Sequence, residues 1–316
     1  VTGHGGHPYS VSGMIAYAEP DIKINNSTNK GEVINDSTYN GLTIGGIVGT
    51  SSGSISVCNS NNEGNITRIS GSSSGGSTGG ILGKRYSGDN NNNVGKEIII
   101  KDCSNTGKIS GGGHTGGIAG MILGDIVTVT DCDNIGCDVS TGEKNDGDLG
   151  GIAGVIIGEK INVENCNVTD GKIYSKIDGT SISVGGIIGN VFDSGVAYSI
   201  KIKLDELVIK NCNAKNLDIS SKKEPSGIIG SINVGYNYNA KTGKVIISSC
   251  KSENNNITNI SAGGTYSSAG GIIGCTDGIA ILQVNNCDLI ESTIEVKGKP
   301  NSDCNAGGVI GYCRVD

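Results

Sequence analysis

The sequence predicts an all-β fold, a parallel β-helix or β-solenoid of about nine coils. Three observations predict it. A glycine-anchored pentad recurs along nearly the whole chain. A β-branched run ending in Asn or Asp and then Cys recurs between the pentads. The composition disfavours helix, with 54 Gly in 316 residues, no Trp, one Phe and only 35% hydrophobic residues. Average glycine usage is about 7%. A compact globule of this length needs more large apolar side chains, whereas a stacked core fills one thin layer per repeat.

The pentad reads Gly-Gly-Ile-aliphatic-Gly. Clear copies run from Gly45, Gly79, Gly116, Gly150, Gly185 and Gly270. Ser226-Gly227-Ile228-Ile229-Gly230 and Gly307-Gly308-Val309-Ile310-Gly311 vary by one residue, and Ser12-Gly13-Met14-Ile15-Ala16 is degenerate. Second positions at 13, 46, 80, 117, 151, 186, 227, 271 and 308 give a repeat of 33 to 44 residues. A fixed long period of this kind marks a repeat architecture. Stacked coils lie about 4.8 Å apart, so like positions form ladders. Ile47, Ile81, Ile118, Ile152, Ile187, Ile228, Ile272 and Val309 form one such seam. The next position is aliphatic as well. Read as one strand, with alternating faces, the pentad should bury one side in the lumen and the other under a flanking segment. Its glycines suit either positive φ or close backbone packing.

The pentads resemble the GLUG motif, a short glycine-anchored repeat. The resemblance runs from about Gly13 to Gly311. It implies a bacterial surface or secreted β-solenoid. Some members of that family are adhesin-like or fused to peptidases, but no peptidase motif stands in this chain, so that activity does not transfer.

Between pentads, Ile98-Ile99-Ile100-Lys101-Asp102-Cys103 and Ile161-Asn162-Val163-Glu164-Asn165-Cys166 show the two-residue period of a half-buried strand. Of 11 cysteines, seven are assigned to one ladder: Cys58, Cys103, Cys132, Cys166, Cys212, Cys250 and Cys287, with Ser27 in the same slot of the first coil. Free thiols there act as small hydrophobes. The alternative, disulfides between adjacent coils, suits the parallel Cβ vectors of stacked residues poorly. Cys137, Cys275, Cys304 and Cys313 lie off the ladder, and Cys304 with Cys313, flanking the last pentad, is the best-placed disulfide pair. No metal site is expected, because there is no Cys-x2-Cys and His4, His7 and His114 are the only histidines. His4 and His7 read as an exposed polar terminus.

Other motifs dissolve in context. Gly71-Ser72-Ser73-Ser74-Gly75 matches a nucleophile elbow without its strand and helix. Gly111, Gly113 and Gly116 match a dinucleotide fingerprint with no helix following. Asp131-Cys132-Asp133-Asn134-Ile135-Gly136 starts like a calcium loop but meets Gly142 where the bidentate acid should stand. A polysaccharide-degrading enzyme would need carboxylates clustered on neighbouring coils. No acidic ladder in register is evident. No catalytic residue and no cofactor is assigned.

The formal charge of −7 and pI near 5.1, without a basic stripe, argue against nucleic acid. No apolar run reaches the roughly 18 residues of a membrane span. No signal peptide is visible at Val1, which suggests a processed form. Sequons such as Asn26-Ser27-Thr28 are expected by chance in an Asn- and Thr-rich chain.

The chain reads as a single solenoid domain, 1–316, with longer insertions at 84–102, 190–211 and 231–249. All three leave from one point of the repeat and should project from one side. They carry the candidate binding residues: Lys84, Arg85 and Tyr86, then Phe192 and Tyr198, then Tyr236 and Tyr238. The alternative is that these side chains cap the rod's own edge. The expected function is a non-catalytic, extracellular or cell-surface structural protein. Both ends break off in nearly the same phase of the coil, which favours head-to-tail self-association into a filament. An adhesin stalk, or a module binding a surface glycan or protein, is the alternative.

Overall fold

The computed structural model describes residues 1–3, 10–36, 41–69, 76–85, 96–136, 138–142, 147–175, 182–192, 202–234, 242–260, 266–297 and 303–314. Among them there are strands and no helix, and the registered strand pairs are parallel. The strands stack into four sheets of fifteen, nine, nine and eight strands. The fold is a β-solenoid, and the nine pentads supply the nine strands of each sheet beside them. One repeat shows the path. Ser77–Gly79 enters the pentad and Leu82–Arg85 leaves it. Glu97–Lys101 is the β-branched strand, and Ser104–Asn105 and Ile109–Gly111 lead to the next pentad.

The pentad is a corner and not a strand, which corrects the alternating-face expectation. The chain bends at Gly80 and Ile81, between two sheets. Ile81 and Leu82 therefore do not point to opposite sides. Both are fully buried in the same lumen cluster, as are Ile118 with Ala119 and Ile187 with Ile188. The glycines serve close approach. A Cβ on Gly80 would strike the Gly117 carbonyl oxygen and the Asn105 side chain. None of the described positive-φ glycines belongs to a pentad; they are Gly41, Gly113, Gly136, Gly243 and Gly278.

Positive φ appears instead at the residue before the cysteine ladder. Asn26, Asn59, Asp102, Asp131, Asn165, Asn211, Ser249 and Asn286 all lie between 49° and 54° or within a few degrees above it, with Asn59 at 49° and Asn165 at 56°. Asn and Asp tolerate this left-handed backbone best among residues with a Cβ. It turns the chain sharply from the β-branched strand into the fifteen-stranded sheet.

The next residue points into the core, where its polar hydrogen needs an acceptor. Cys103 Sγ donates to the Lys101 carbonyl at 3.2 Å and reaches the Val57 carbonyl of the preceding coil at 3.5 Å. Cys132, Cys166, Cys212, Cys250 and Cys287 repeat this pattern, each with one carbonyl two residues back and one in the coil before. Cys103, Cys132, Cys166, Cys212 and Cys250 are buried, and Cys287 is partly so. Sulfur contact with the preceding ladder cysteine, and then burial, pushes the Cys166, Cys212 and Cys250 thiols up, the last to about 12. They stay protonated at neutral pH and unreactive.

Cys58 does not belong to this ladder, a correction to the sequence assignment. It pairs with Asn25 and Lys101, two residues ahead of the slot. Ser60 holds the slot, its hydroxyl donating to the Cys58 carbonyl at 2.9 Å, and Ser27 does the same with Asn25. The positive-φ Asn59 marks the true register. Cys304 and Cys313 are free and exposed, on the separate strands Asp303–Gly307 and Ile310–Arg314, so the proposed disulfide is not formed. Cys275 is buried and free, and Cys137 lies outside the described residues.

Two residues beyond the slot runs a second ladder that sequence reading missed. Asn29, Asn62, Asn105 and Asn134 are buried, and the amides of the first three donate to the Oδ1 of the next, at 2.7, 2.7 and 2.8 Å. The other amide hydrogen of Asn62 and Asn105 goes to the carbonyls of Gly64 and Gly107. A stacked column of one residue suits an amide, because each carries both a donor and an acceptor.

Two outcomes test this account. In native buffer, Cys304 and Cys313 should alkylate fast while Cys103, Cys132 and Cys166 stay protected until denaturant is added, as read by peptide mass spectrometry; rapid native labelling of those three would sink the ladder. Ser249→Asn should raise stability by about 0.5–1 kcal/mol, since Asn bears a left-handed backbone at less cost; an unchanged or lower urea midpoint would contradict it.

Candidate functional site

The three long connections leave the strands ending at Arg85, Phe192 and Asn233 and rejoin at Glu97, Glu206 and Thr242. Each therefore spans the same corner of the solenoid. Tyr86, Tyr198, Tyr236 and Tyr238 lie outside the described residues. The remaining three candidates do not form one exposed contact set.

Arg85 is fully buried, which corrects its assignment to a projecting loop. It occupies the column of Ser51 and Ile122. Its Nε donates to the Gly53 carbonyl at 3.1 Å, one terminal nitrogen to Ser52 at 2.9 Å and the other to Leu123 at 2.6 Å. One guanidinium thus ties its own repeat to the repeats before and after it. Its planar fork of five donors can serve three divergent carbonyls, which an ammonium cannot do with the same geometry. Burial lowers its pKa to about 10, opposed by the charges of Asp125 and Asp21, so it remains a cation at neutral pH.

Lys84, one residue earlier, faces the other way and aligns with Thr50 and Met121. Desolvation lowers its ammonium to about 8. Phe192 packs on the outer side of its sheet against Met121, Leu123, Val155, Ile157 and Ile202. Ile202 comes from the second long connection, so part of that insertion folds back to cover its own sheet. The aromatic is used internally here, on the outer side of a sheet.

A mixed group of acidic, basic and thiol side chains lies elsewhere, where the strands entering and leaving the pentads meet. The residue two before each pentad forms one column: Ser10, Thr43, Ser77, His114, Asp148, Ser183 and Glu224. The residue just after each pentad forms a second, which includes Thr50, Lys84, Met121, Val155, Asn190, Ser231 and Cys275. The columns interlock one repeat out of step. Thr50 Oγ1 donates to Ser10 Oγ at 3.2 Å, and Asn190 Nδ2 to Asp148 Oδ2 at 3.2 Å.

Asp148 is the centre of the charged stretch. Its carboxylate accepts the Ser183 backbone N–H at 3.0 Å besides the Asn190 amide. Desolvation raises its pKa, although these hydrogen bonds and the charge of Lys223 pull the other way. Ser183 Oγ donates to Glu224 Oε2 at 2.7 Å, and Lys223 Nζ lies 3.4 Å from Glu224 Oε1. Cys275 is pushed up by burial first and by Glu224 second. Ser, His and Asp do occur together, but Ser183 hands its proton to a carboxylate and not to His114, so the order of a nucleophilic triad is not built here. Among the described residues no group of three or more His, Cys, Asp or Glu side chains could hold a metal ion. No described helix is long and apolar enough to cross a membrane.

The columns had a signal in the sequence. Counting two back from each of the nine pentads gives Ser, Thr, Ser, His, Asp, Ser, Glu, Ser and Asn, an unbroken polar file at a mostly buried position.

No family model matches the chain, so the GLUG resemblance rests on the pentads themselves. No curated protein matches it either. Among solved structures, the chain is similar to a Bacteroides ovatus protein described as a "putative immunoglobulin A1 protease", with a TM-score of 0.42, 19% identity and coverage of 96% of this chain and 78% of that one. A likeness that distant carries no argument about activity, and the solenoid stands on the chain's own strand pairing.

Arg85→Met should destabilise the fold by about 3 kcal/mol or more, because three carbonyls lose a charged donor. Lys84→Met should cost less than about 1 kcal/mol. Equal urea midpoints for the two variants would refute the clamp.

Proposed function

We propose that this chain is a non-catalytic structural solenoid of a cell surface, a GLUG-type protein that self-associates head to tail by stacking rung on rung. One observation carries the reading. In the repeat that runs from Ile279 to Arg314 the lumen columns are only partly covered: Leu282, Val284, Cys287, Ile294 and Ile310 pack against the core but stay partly exposed. One repeat inward, the same columns hold Val245, Ile247, Cys250, Ile257 and Ile273, all fully buried.

The strands at this edge also have one unpaired side. A parallel edge with an apolar lumen is a template for another rung. The opposite edge carries matching columns. Following the register through the stack, Leu282 shares a column with Ile22, Val284 with Ile24 and Ile310 with Ile15. Ile15 and Ile22 are themselves only partly buried. A second copy stacked in phase would bury both sets and continue the backbone hydrogen bonding. Such a head-to-tail contact is heterologous and propagates as a filament when its rotation does not close. The acidic charge and the absence of a basic stripe favour neither nucleic acid nor an anionic surface as partner.

Sedimentation across a concentration series, with negative-stain microscopy, tests the assembly. The intact chain should form concentration-dependent linear polymers. Leu282→Lys with Val284→Lys should abolish them and leave a β-rich, folded monomer. An intact chain that stays monomeric at high concentration defeats the proposal.

A further inference from the structure

The contact between His114 and Asp148 has a chemistry that the structural role does not require. Both side chains are almost buried, with 13% and 12% of their surface exposed. They sit in neighbouring rungs of the column that enters the pentads, in the fourth and fifth repeats. One imidazole nitrogen faces two different groups of the same residue. His114 Nδ1 lies 3.3 Å from the Asp148 backbone nitrogen, which donates to it, and 3.6 Å from Asp148 Oδ2. A bare imidazole nitrogen has one lone pair and can only accept. A protonated one can only donate. The two contacts are therefore mutually exclusive states of one proton.

We propose that His114 and Asp148 form a proton-operated joint between adjacent coils. With Nδ1 bare, the imidazole holds the backbone N–H of Asp148. When Nδ1 takes a proton from water, it turns to the carboxylate as a charged donor and releases that N–H. The imidazole gains one proton and one positive charge; no other bond is made or broken.

The surroundings are built for this exchange. The Asp148 carboxylate has two fixed donors, the Ser183 N–H and the Asn190 amide, and both are uncharged. Burial raises its pKa, so as an anion it is poorly stabilised. Among the described residues the charge that acts on it is Lys223, two repeats on, which is already engaged with Glu224 at 3.4 Å. Glu224 is further occupied by the Ser183 hydroxyl, and Cys275, beside Glu224, is held as the neutral thiol. A protonated His114 is the countercharge that can reach Asp148 Oδ2 without displacing any of these. The pair then titrates as a unit, with macroscopic values that belong to both groups.

The sign of the linkage depends on which group takes the proton. The raised folded pKa of the Asp148 carboxyl favours its neutral form, and that contribution is complete below the unfolded value and lost as pH rises through the raised one. The joint's proton goes instead to the imidazole, and the pair holds only while the carboxylate stays ionised. Acid that protonates His114 and leaves Asp148 ionised should tighten the Asp148 side chain in the groove while it loosens the backbone N–H, a local rearrangement without unfolding of the rod.

The intact protein with labelled histidine reports the joint directly, since His4 and His7 are the only other imidazoles. The His114 ring signal should titrate, and Asp148→Asn should lower its midpoint by about one unit, a tenfold change in proton affinity. Exchange of the Asp148 amide, corrected for its intrinsic pH dependence, should quicken about tenfold as pH falls through that midpoint. His114→Gln should flatten this response. A midpoint unmoved by Asp148→Asn, or an amide whose corrected exchange is constant from pH 8 to pH 5, would overturn the proposal. If His114→Gln does not fold, the Asp148→Asn titration decides alone.

Discussion

In-register parallel stacking is the constraint on which everything else in this chain depends. At about 4.8 Å per rung, each side chain lies against the residue in the same column above and below it. A column therefore admits only residues that tolerate their neighbours at that distance. Aliphatic side chains meet the condition, and Ile47, Ile81, Ile118 and Ile152 fill the corner seam. Amides meet it because they can donate to one neighbour and accept from the other, as Asn62 does between Asn29 and Asn105. Small thiols meet it by sending their hydrogen to carbonyls of the surrounding strands. Isolated charges do not meet it. That explains why Arg85 is spread over three carbonyls and why acidic and basic groups in the groove are interleaved with Ser and Asn.

The same constraint shapes the corners. Stacked bends bring backbone onto backbone, so the second pentad glycine, from Gly13 to Gly271, faces a carbonyl oxygen of the next repeat, where a Cβ would collide. At the other bend the chain has room but needs a left-handed residue, and Asn or Asp supplies it. The two turn types thus read differently in sequence for different reasons, crowding in one and backbone conformation in the other. The long connections do not obey the column rule, because they leave the stack. Their length varies, yet Ile202 and Phe192 show that at least one returns to shield the outer face of the solenoid.

The rungs also set how far each column is covered. Inside the stack, Val245, Ile247 and Ile273 are covered on both sides by their own column. At the edge, Leu282, Val284 and Ile310 have a neighbour on one side only. Buried polar columns behave differently along the stack. Asn29 to Asn134 form a file in which each amide from Asn29 to Asn105 donates to the next, while the file from His114 to Glu224 changes residue at every rung and mixes neutral with titratable groups.

By itself, the sequence determined the architecture: the pentad period, the β-branched runs and the Asn-Cys turns are local patterns that stacking then repeats, so a solenoid with the Ile seam and the thiols from Cys103 to Cys287 in its core was legible. The side of each residue and its partner across coils were not, because they depend on register. A shift of two residues put Cys58 on the strand ahead of the slot and Ser60 in it. A bend in place of a strand turned Ile81 and Leu82 into the same core. Arg85 looked like a loop cation because its neighbours in sequence are polar, whereas its acceptors are the carbonyls of Ser52, Gly53 and Leu123, more than thirty residues away on either side. The pairing of His114 with Asp148 is of the same kind. Only the tertiary structure decides such contacts, since they join residues a full repeat apart, and the hydrogen bonds and desolvation that define them do not exist until the coils are stacked.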